Sequence, residues 1–237
     1  MEEKISGIVL GGIAYGENDK ILKIFTLEKG LISAKIKGVK KAGAKLKFAS
    51  EPFCFAEYIL RNGKAGYTVI NASLIDSFYP VREDVIKYYS GAVVLEFIKR
   101  FYQENILSER EFFTVVNALK EIAYGDDYKG ALVRFLVLSL KEIGYALETH
   151  GCYACGIERS KRLFFDYGLG AFYCLDCFSG DGREINPETF YALKKAEDGE
   201  SLSDGESVKA LRLLDYYLTN KTEEKVDSLK ELLKMLA

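Results

Sequence analysis

The sequence predicts an α+β protein with a small N-terminal β-barrel, an α-helical bundle and an inserted four-cysteine module. Residues 5–70 consist of short, alternating apolar stretches, whereas apolar residues recur at helical spacing from Val81 onward. Two Cys-x-x-Cys pairs, between residues 152 and 177, interrupt the helical pattern. We therefore expect a barrel over 1–80, a helical domain formed by 81–150 and 181–237, and a cysteine module over 151–180.

Five candidate strands make up the predicted barrel. Ile32, Ala34 and Ile36 alternate with polar residues, which is typical of a half-buried strand. Arg61-Asn62-Gly63-Lys64 contains the Asn-Gly pair that favours a tight hairpin. Five short strands in such a short segment favour a closed barrel of the OB type, a frequent platform for single-stranded nucleic acid. The other strands are expected at Ile5–Leu10, Ile21–Thr26, Pro52–Leu60 and Gly66–Ile70.

Residues 35–47 form a basic stretch between two of these strands. They include six lysines and no acid, and glycines at positions 38 and 43 favour a flexible loop. Such a loop can follow a phosphate backbone without demanding a sequence, although lysine runs are more often ordinary solvated loops. We predict DNA binding here by Lys35, Lys37, Lys40, Lys41, Lys45 and Lys47.

Charge is distributed unevenly along the chain. Residues 1–80 contain 12 Lys+Arg and 8 Asp+Glu, which leaves 33 − 12 = 21 basic and 35 − 8 = 27 acidic residues in the remainder. Taken alone, the net charge of −2 argues against a nucleic-acid binder, but the N-terminal part is locally basic. This asymmetry supports placing the nucleic-acid surface on the barrel.

The helical region begins with a four-residue apolar repeat, Val85 to Phe101, opposite polar positions that include Ser90. A second helix is expected around Phe112–Ala123, and Asp126-Asp127 can cap a third that runs to about Leu147. The third helix is apolar nearly all round, so it should form the centre of a bundle. Later helices are expected from Asn186-Pro187-Glu188, over Asp204–Thr219 and over Thr222–Leu236.

Arg134, Leu138 and Lys141 fall on one stripe of the predicted central helix. A bundle core prefers an aliphatic residue where Arg134 stands, so its guanidinium must either meet a carboxylate or face an opening. The first alternative is an arginine paired with a nearby glutamate at a helix surface. The second is an apolar groove with a positive edge, which would suit a partner that carries a terminal carboxylate.

Cys152, Cys155, Cys174 and Cys177 have the C-x2-C spacing of a four-thiolate zinc site, with a β-ribbon and a turn at Tyr167–Gly170 between the pairs. Four cysteines leave no open coordination position, so we expect one structural, non-catalytic Zn²⁺ per chain. A zinc deaminase is excluded because its H-x-E and P-C-x-x-C motifs are missing around His150. Cys54 stands apart and is expected to be a buried small hydrophobe.

Nothing near Met1 resembles a secretory signal, and the most apolar segment, Leu132–Leu140, is too short to span a bilayer. Paired cysteines without an export signal favour a metal over disulfides. We therefore expect a cytoplasmic protein without membrane contact.

Several short motifs, in their order along the chain, resemble the bacterial recombination mediator family RecO. Gly7–Leu10 and Tyr15–Leu22 open the match, and Cys-x-x-Cys-Gly follows Gly144-Tyr145. The family's basic residues after Lys-Gly are more often arginine, whereas this chain has lysine, which weakens bidentate phosphate contacts. The remaining matches are Phe25-Thr26, Gly30–Ser33, Lys37–Lys41, Pro52-Phe53, Glu57, Ser77-Phe78, Arg82–Asp84, the second cysteine pair and Asn186–Glu188.

The resemblance implies a non-catalytic DNA repair mediator with an OB domain, a helical bundle and a four-cysteine zinc module. Such a protein binds single- and double-stranded DNA, anneals complementary strands and helps to load RecA onto strands coated with the single-stranded DNA-binding protein SSB. It implies the partners RecR, RecF through RecR, and the SSB C-terminal tail, which the family recognises in its helical domain. For this chain, the candidate residues for binding the SSB tail are Arg134, Leu138 and Lys141. The resemblance also implies that the protein is associated with the nucleoid.

Two other function classes stay open. A nucleic-acid-modifying enzyme would need clustered carboxylates or a catalytic histidine, and the sequence has one histidine and no acidic cluster near the thiols. A zinc-ribbon adaptor would act through protein partners alone. A salt-dependent assay of single-strand binding separates the adaptor from the mediator.

Overall fold

The computed structural model describes residues 2–64, 66–180 and 182–237. The chain forms two compact units. The first contains the N-terminal segment up to Asp84 together with Leu95–Val116, and the second contains Val85–Val94 and Asn117–Ala237. The domain limits expected from the sequence remain predictions.

Five strands of the first unit close into a barrel, as predicted. Their order around the barrel is β1-β2-β3-β5-β4, and β1 pairs with β4 to complete the ring. All pairs are antiparallel except β3 with β5, which is the strand arrangement expected of an OB-type barrel. The strands are β1 Glu2–Tyr15, β2 Asp19–Thr26, β3 Gly30–Ile36, β4 Phe55–Gly63 and β5 Gly66–Asp76.

The barrel core consists of inward-facing residues of all five strands, because side chains alternate between the two faces of a strand, together with Val39, Ala49 and Cys54 from the segments between strands. Tyr58 is buried within it, and its hydroxyl donates a hydrogen bond to the Ala49 carbonyl at 3.2 Å. Cys54 is 2 % exposed, and burial raises the pKa of its thiol. The prediction that Cys54 is a buried small hydrophobe is therefore confirmed.

Several strand limits differ from those expected, and β5 continues to Asp76 instead of ending at Ile70. Strand β1 continues to Tyr15, with a register shift between Val9 and Gly11 that bends it as it passes from β4 to β2. Arg61, Asn62 and Gly63 belong to β4, and Gly63 pairs with Gly66. The hairpin therefore exists, but its turn lies after the Asn-Gly pair, and position 65 is outside the described residues.

Residues 95–116 pack on the outside of the barrel within the first unit. The Phe112 ring lies 5.8 Å from that of Phe25 and 6.0 Å from that of Phe55, measured between centroids. The Asn105 backbone N–H donates to the Leu31 carbonyl at 2.9 Å. These contacts cover apolar side chains that a barrel alone would leave in water.

Within the described residues, six α-helices follow the barrel, and capping residues mark the start and end of the third. Asp127 caps α3, its carboxylate accepting from the Gly130 N–H at 2.9 Å, and Gly144 follows the helix end with φ +85°. Nine of its residues are buried, so the prediction of a central helix is confirmed within the second unit, although the helix ends at Glu142 and not near Leu147. The helices are α1 Val85–Phe101, α2 Glu109–Tyr124, α3 Tyr128–Glu142, α4 Pro187–Glu197, α5 Asp204–Thr222 and α6 Asp227–Met235.

The apolar repeat predicted for α1 was partly wrong. Val85 is 57 % exposed, whereas Ser90 is buried and its hydroxyl donates to the Ile86 carbonyl at 2.8 Å. A four-residue repeat drifts around a helix of 3.6 residues per turn, so the buried face moves to Val93, Val94 and Phe97.

A three-stranded antiparallel sheet of order β7-β6-β8 carries the cysteine module. It comprises β6 Leu163–Asp166, β7 Ala171–Cys174 and β8 Arg183–Ile185. The turn predicted at Tyr167–Gly170 joins β6 to β7, and the Asp166 carboxylate accepts from the Gly168 and Leu169 N–H groups. Strand β8 was not predicted.

Candidate metal centre and nucleic-acid interface

The four cysteines of the two pairs converge on one point, with their sulfur atoms all within 4.8 Å of one another. The Sγ atoms of Cys155 and Cys174 are 3.8 Å apart. Tetrahedral thiolates at about 2.3 Å from Zn²⁺ lie about 3.8 Å from each other, so the residues fit this ion. The four-cysteine cluster can therefore hold a metal ion.

The two cysteine pairs have the same local structure. The Gly156 N–H donates to the Cys152 carbonyl at 2.7 Å, and the Phe178 N–H donates to the Cys174 carbonyl at 3.0 Å. Each pair thus forms a one-turn knuckle that directs both sulfurs to the same side. The Cys174 N–H also donates to the Cys152 sulfur at 3.3 Å, which joins the two knuckles.

The pKa values of the thiols reflect their crowding. Burial raises the pKa of Cys152, but backbone N–H donors from Cys174, Cys155 and Ala154 outweigh burial and lower it to about 6. Hydrogen bonds with the Cys155 and Cys174 thiols raise the pKa of Cys177 to about 12. Cys152 thus ionises more readily than Cys177, and a bound cation would favour the ionised form of both.

His150 lies close to the knuckles in sequence but is exposed and outside the sulfur cluster. Four cysteines alone complete a tetrahedral set, and the chemistry of the donors indicates a structural centre. The metal would cross-link Cys152 and Cys155 to β7 and to the turn at Cys177.

The basic loop, residues 37–47, joins β3 to a single 3-10 turn at Phe48–Ser50. The loop is tied down, contrary to the flexibility expected, because Val39 is 2 % exposed in the barrel core and Leu46 packs against that core. Five of its lysines are exposed, and no ion pair to them exists within the described residues: Lys37, Lys40, Lys41, Lys45 and Lys47. Their role in DNA binding stays a prediction.

Lys35 differs from these five lysines because it lies in β3. Its ammonium is 2.9 Å from the Asp19 carboxylate and 4.4 Å from the Tyr15 ring centroid. It is therefore already neutralised by a neighbour, and its role in DNA binding stays a prediction.

Asp19 is a positioning residue that sequence reasoning missed. Its carboxylate accepts from the Gly38 N–H at 2.9 Å, and this bond, together with Lys35, lowers the Asp19 pKa. The Lys40 N–H also donates to the Asn18 carbonyl at 3.1 Å. The turn between β1 and β2 thus fixes the first part of the basic loop.

A cavity of about 360 Å³ opens on the barrel surface of the first unit beside β1 and β2. Ile13, which is 68 % exposed, and Ile21 provide apolar walls, and Lys99 reaches its edge. The Lys99 pKa is lowered by partial burial of its ammonium. Tyr15 follows Ile13 by two positions on β1, so both side chains lie on the same face of that strand, and the Lys35 ammonium contacts the Tyr15 ring.

Arg134 of α3 meets a carboxylate, the first of the two alternatives. Its Nη1 lies 2.6 Å from Oε2 of Glu121, and its Nη2 donates to the carbonyls of Gly199 and Glu200 at 3.4 and 3.3 Å. Lys141 pairs with Glu197 at 3.0 Å. Leu138 between them is half-buried, and binding of an SSB tail at this stripe stays a prediction.

Two family models match this chain almost end to end. The model "Recombination protein O N terminal" matches residues 1–78, and "Recombination protein O C terminal" matches residues 82–230. The chain belongs to the RecO family. RecO proteins are named as DNA repair proteins, and the recognition based on sequence motifs is confirmed.

Curated RecO relatives match over most of their length. The DNA repair protein RecO of Acetivibrio thermocellus is 31% identical over 179 residues, covering 75% of this chain and 71% of the relative. That of Clostridium perfringens is 30% identical over 191 residues, covering 79% and 77%. That of Clostridium novyi is 26% identical over 238 residues, covering 96% and 92%.

Among the described residues, no helix has the length and apolar character needed to cross a membrane.

Proposed function

We propose that this RecO-family protein is a non-catalytic mediator of DNA repair and recombination. It binds single- and double-stranded DNA, anneals complementary strands and helps RecA to load onto strands coated with SSB. It acts in the cytoplasm at the nucleoid, with RecR, RecF through RecR, and the SSB tail as partners. Family membership supports the DNA repair role, and the exposed lysines of the basic loop support strand binding.

The observation that carries strand binding is a loop with five exposed lysines that form no ion pair among the described residues. Each exposed ammonium can displace a counterion from a phosphate, which is the main source of affinity for single strands without sequence preference. Anchoring through Val39 and Asp19 holds the ammonium groups on one loop before DNA arrives. Less conformational entropy is then lost on binding than with a free loop.

The barrel surface offers a path for the bases of the same strand. Tyr15 is 50 % exposed, and Ile13 is more exposed still. Bases stack on aromatic rings and pack on apolar side chains regardless of sequence, while Lys99 can meet a further phosphate. Annealing then requires that the cationic surface neutralise two backbones at once, and no catalytic step is needed.

Zn²⁺ is proposed as the structural metal of the four-cysteine cluster. Bound there, the ion would supply a cross-link between the two knuckles and no reactive water, because four thiolates fill its coordination sphere. The module's own residues keep the sulfurs in place through the knuckle hydrogen bonds. The zinc-ribbon adaptor would share this centre, so DNA binding must separate the two functions.

The decisive test replaces Lys37, Lys40 and Lys41 with alanine and measures binding of single-stranded oligonucleotides by fluorescence anisotropy at several salt concentrations. Each lost phosphate contact should flatten the slope of log K against log salt by about 0.7, giving about 2 for all three. Affinity should fall alike for all sequences, and annealing should slow.

A matched control removes the same charge from Lys120, Lys225 and Lys234, which are exposed in the second unit. This variant should keep the wild-type slope. If the loop variant is folded and both variants bind DNA equally well, the basic loop does not carry strand binding. If the wild-type protein binds no DNA at any salt, the adaptor replaces the mediator.

A further inference from the structure

A second cationic cleft, of about 300 Å³, lies in the helical unit and played no part in the sequence predictions. The turn after β6, strand β8 and helix α5 form its walls. Its principal lining residues are Tyr167, Arg183, Ile185, Arg212, Leu213 and Tyr216.

The residues that line the cleft are regularly spaced along α5 and β8. Lys209, Arg212, Leu213 and Tyr216 follow an i, i+3, i+4, i+7 pattern, which places them on one face of α5. Arg183 and Ile185 are two positions apart on β8, so both point to the same side of the sheet. The cleft therefore has an apolar floor and a cationic rim.

Two arginines of this cleft have no carboxylate partner within the described ranges. Arg212 is exposed and makes no ion pair, and Arg183 interacts with tyrosines instead. Arg162, in the same module, pairs with Glu184 at 2.8 Å, and Lys209 at the cleft edge pairs with Glu188. In a region with more acidic than basic residues, two unneutralised guanidinium groups at one cleft indicate an anionic ligand.

The aromatic residues of the cleft indicate what else this ligand carries. The Tyr167 and Tyr216 rings meet edge to face at 4.5 Å between centroids, and the Arg183 guanidinium lies 5.8 Å from the Tyr216 centroid. Tyr216 remains 44 % exposed. A ring held by its neighbours and open to solvent offers a stacking surface for a base, and stacking works with any base.

We propose that this cleft binds one nucleotide of a single strand, with the phosphate at Arg183 and Arg212 and the base against Tyr216. Guanidinium groups suit phosphate because their N–H donors bind two oxygens at once. The volume is at the small end of ligand sites, about 300–1,000 Å³, which fits one nucleotide better than an acidic peptide helix. The inference rests on the proposed function and adds to it a second strand site, separate from the basic loop.

The test uses the full-length protein with its metal and an oligothymidylate probe. Arg212→Gln and Arg183→Gln are compared with Arg159→Gln, an exposed arginine that does not line the cleft. All are made both in the wild-type background and in the triple loop-lysine variant. In the loop variant, where the cleft carries more of the remaining affinity, each cleft substitution should weaken binding about tenfold, and the control should not.

Photo-cross-linking with an oligonucleotide that contains 5-bromodeoxyuridine gives a second measurement. We expect cross-links at Tyr216, mapped by mass spectrometry and lost in Tyr216→Leu. Circular dichroism and metal content establish that each variant is folded.

The outcomes separate this inference from the proposed function. Unchanged affinity of both cleft variants without cross-links to α5 or β8, while the loop variant still weakens binding, overturns the cleft alone. Absence of DNA binding by the wild-type protein overturns both. If an acidic peptide binds the cleft in an Arg212-dependent manner and the oligonucleotide does not, the site serves a protein partner and the nucleotide assignment is wrong.

Discussion

Replacing Arg134 with alanine should lower the free energy of unfolding by about 1.5–3 kcal/mol, and part of that loss should depend on Glu121. The Arg134 side chain is 21% exposed and that of Glu121 is 49% exposed, so solvent screens their ion pair to about 0.5–1 kcal/mol. The two hydrogen bonds to the carbonyls of Gly199 and Glu200 are long, and together add about 1–2 kcal/mol. For a chain of this length the melting temperature should fall by roughly 3–12 °C.

A double-mutant cycle with Arg134→Ala and Glu121→Gln, followed by thermal and denaturant unfolding, measures the shared part. We expect a coupling energy of about 0.5–1 kcal/mol. Additive losses, or an Arg134→Ala cost below about 0.5 kcal/mol, would refute the assignment of Arg134 to an ion pair that stabilises the helical unit.

The same variants test the predicted SSB-tail groove. Glu121 competes with any tail carboxylate for the guanidinium, so Glu121→Gln should strengthen binding of a labelled tail peptide if Arg134 receives the tail. Arg134→Ala should weaken it by about 1.5–3 kcal/mol, with binding of bare single strands little changed. Wild-type peptide affinity in both variants would limit Arg134 to its structural role.

Three further perturbations test the metal centre, a helix cap and the barrel. Cys177→Ser should abolish the expected content of about one zinc per chain and destabilise the fold; full zinc content by mass spectrometry would contradict the four-thiolate site. Hydrogen bonds from Lys195 and the Ser203 backbone lower the Glu206 pKa from 4.5 to about 2. The ionised carboxylate therefore stabilises the fold fully above about pH 4.5, and this stabilisation is lost as the pH falls toward 2. Glu206→Gln should remove that part of the acid dependence, and an unaltered curve of stability against pH would contradict the role of Glu206. Gly30→Ala should cost about 2 kcal/mol or more, because Gly30 has φ +66° and the added Cβ would clash with the Ile106 carbonyl oxygen. A wild-type melting temperature would disprove this close approach.

The features that sequence predicted well depend on local signals. Alternation over residues 32–36 identifies β3 because one of its faces is buried and the other wet. Asp127 and Asn186 begin α3 and α4 because each side chain accepts from a backbone N–H two or three positions on. The two residues between the cysteines of each pair are likewise a local signal, because each knuckle is a single turn.

The features that sequence missed depend on partners distant in the chain. Strand β8 has three residues, two of them charged, and is a strand because Leu163 and Phe165 of β6 pair with it. The partner of Arg134 lies 13 positions away on another helix. The cleft lies between β8 and one face of α5. The spacing of residues from Lys209 to Tyr216 therefore indicates a cleft only when the position of β8 is known.

Closing the barrel has a consequence for folding kinetics. Hairpins β1–β2, β2–β3 and β4–β5 need only local turns, whereas the β1–β4 pairing joins Glu2 to Arg61 across 59 positions. Non-local pairings form slowly because loop-closure entropy is lost before their contacts are gained, so this pairing and the three-residue parallel β3–β5 ladder should form last. The basic loop lies between β3 and β4, so its length enters that late step. Extending the basic loop should slow folding, but each doubling of its length should lower stability by only about 0.6 kcal/mol. The loop can therefore vary in length at little cost to the stability of the barrel.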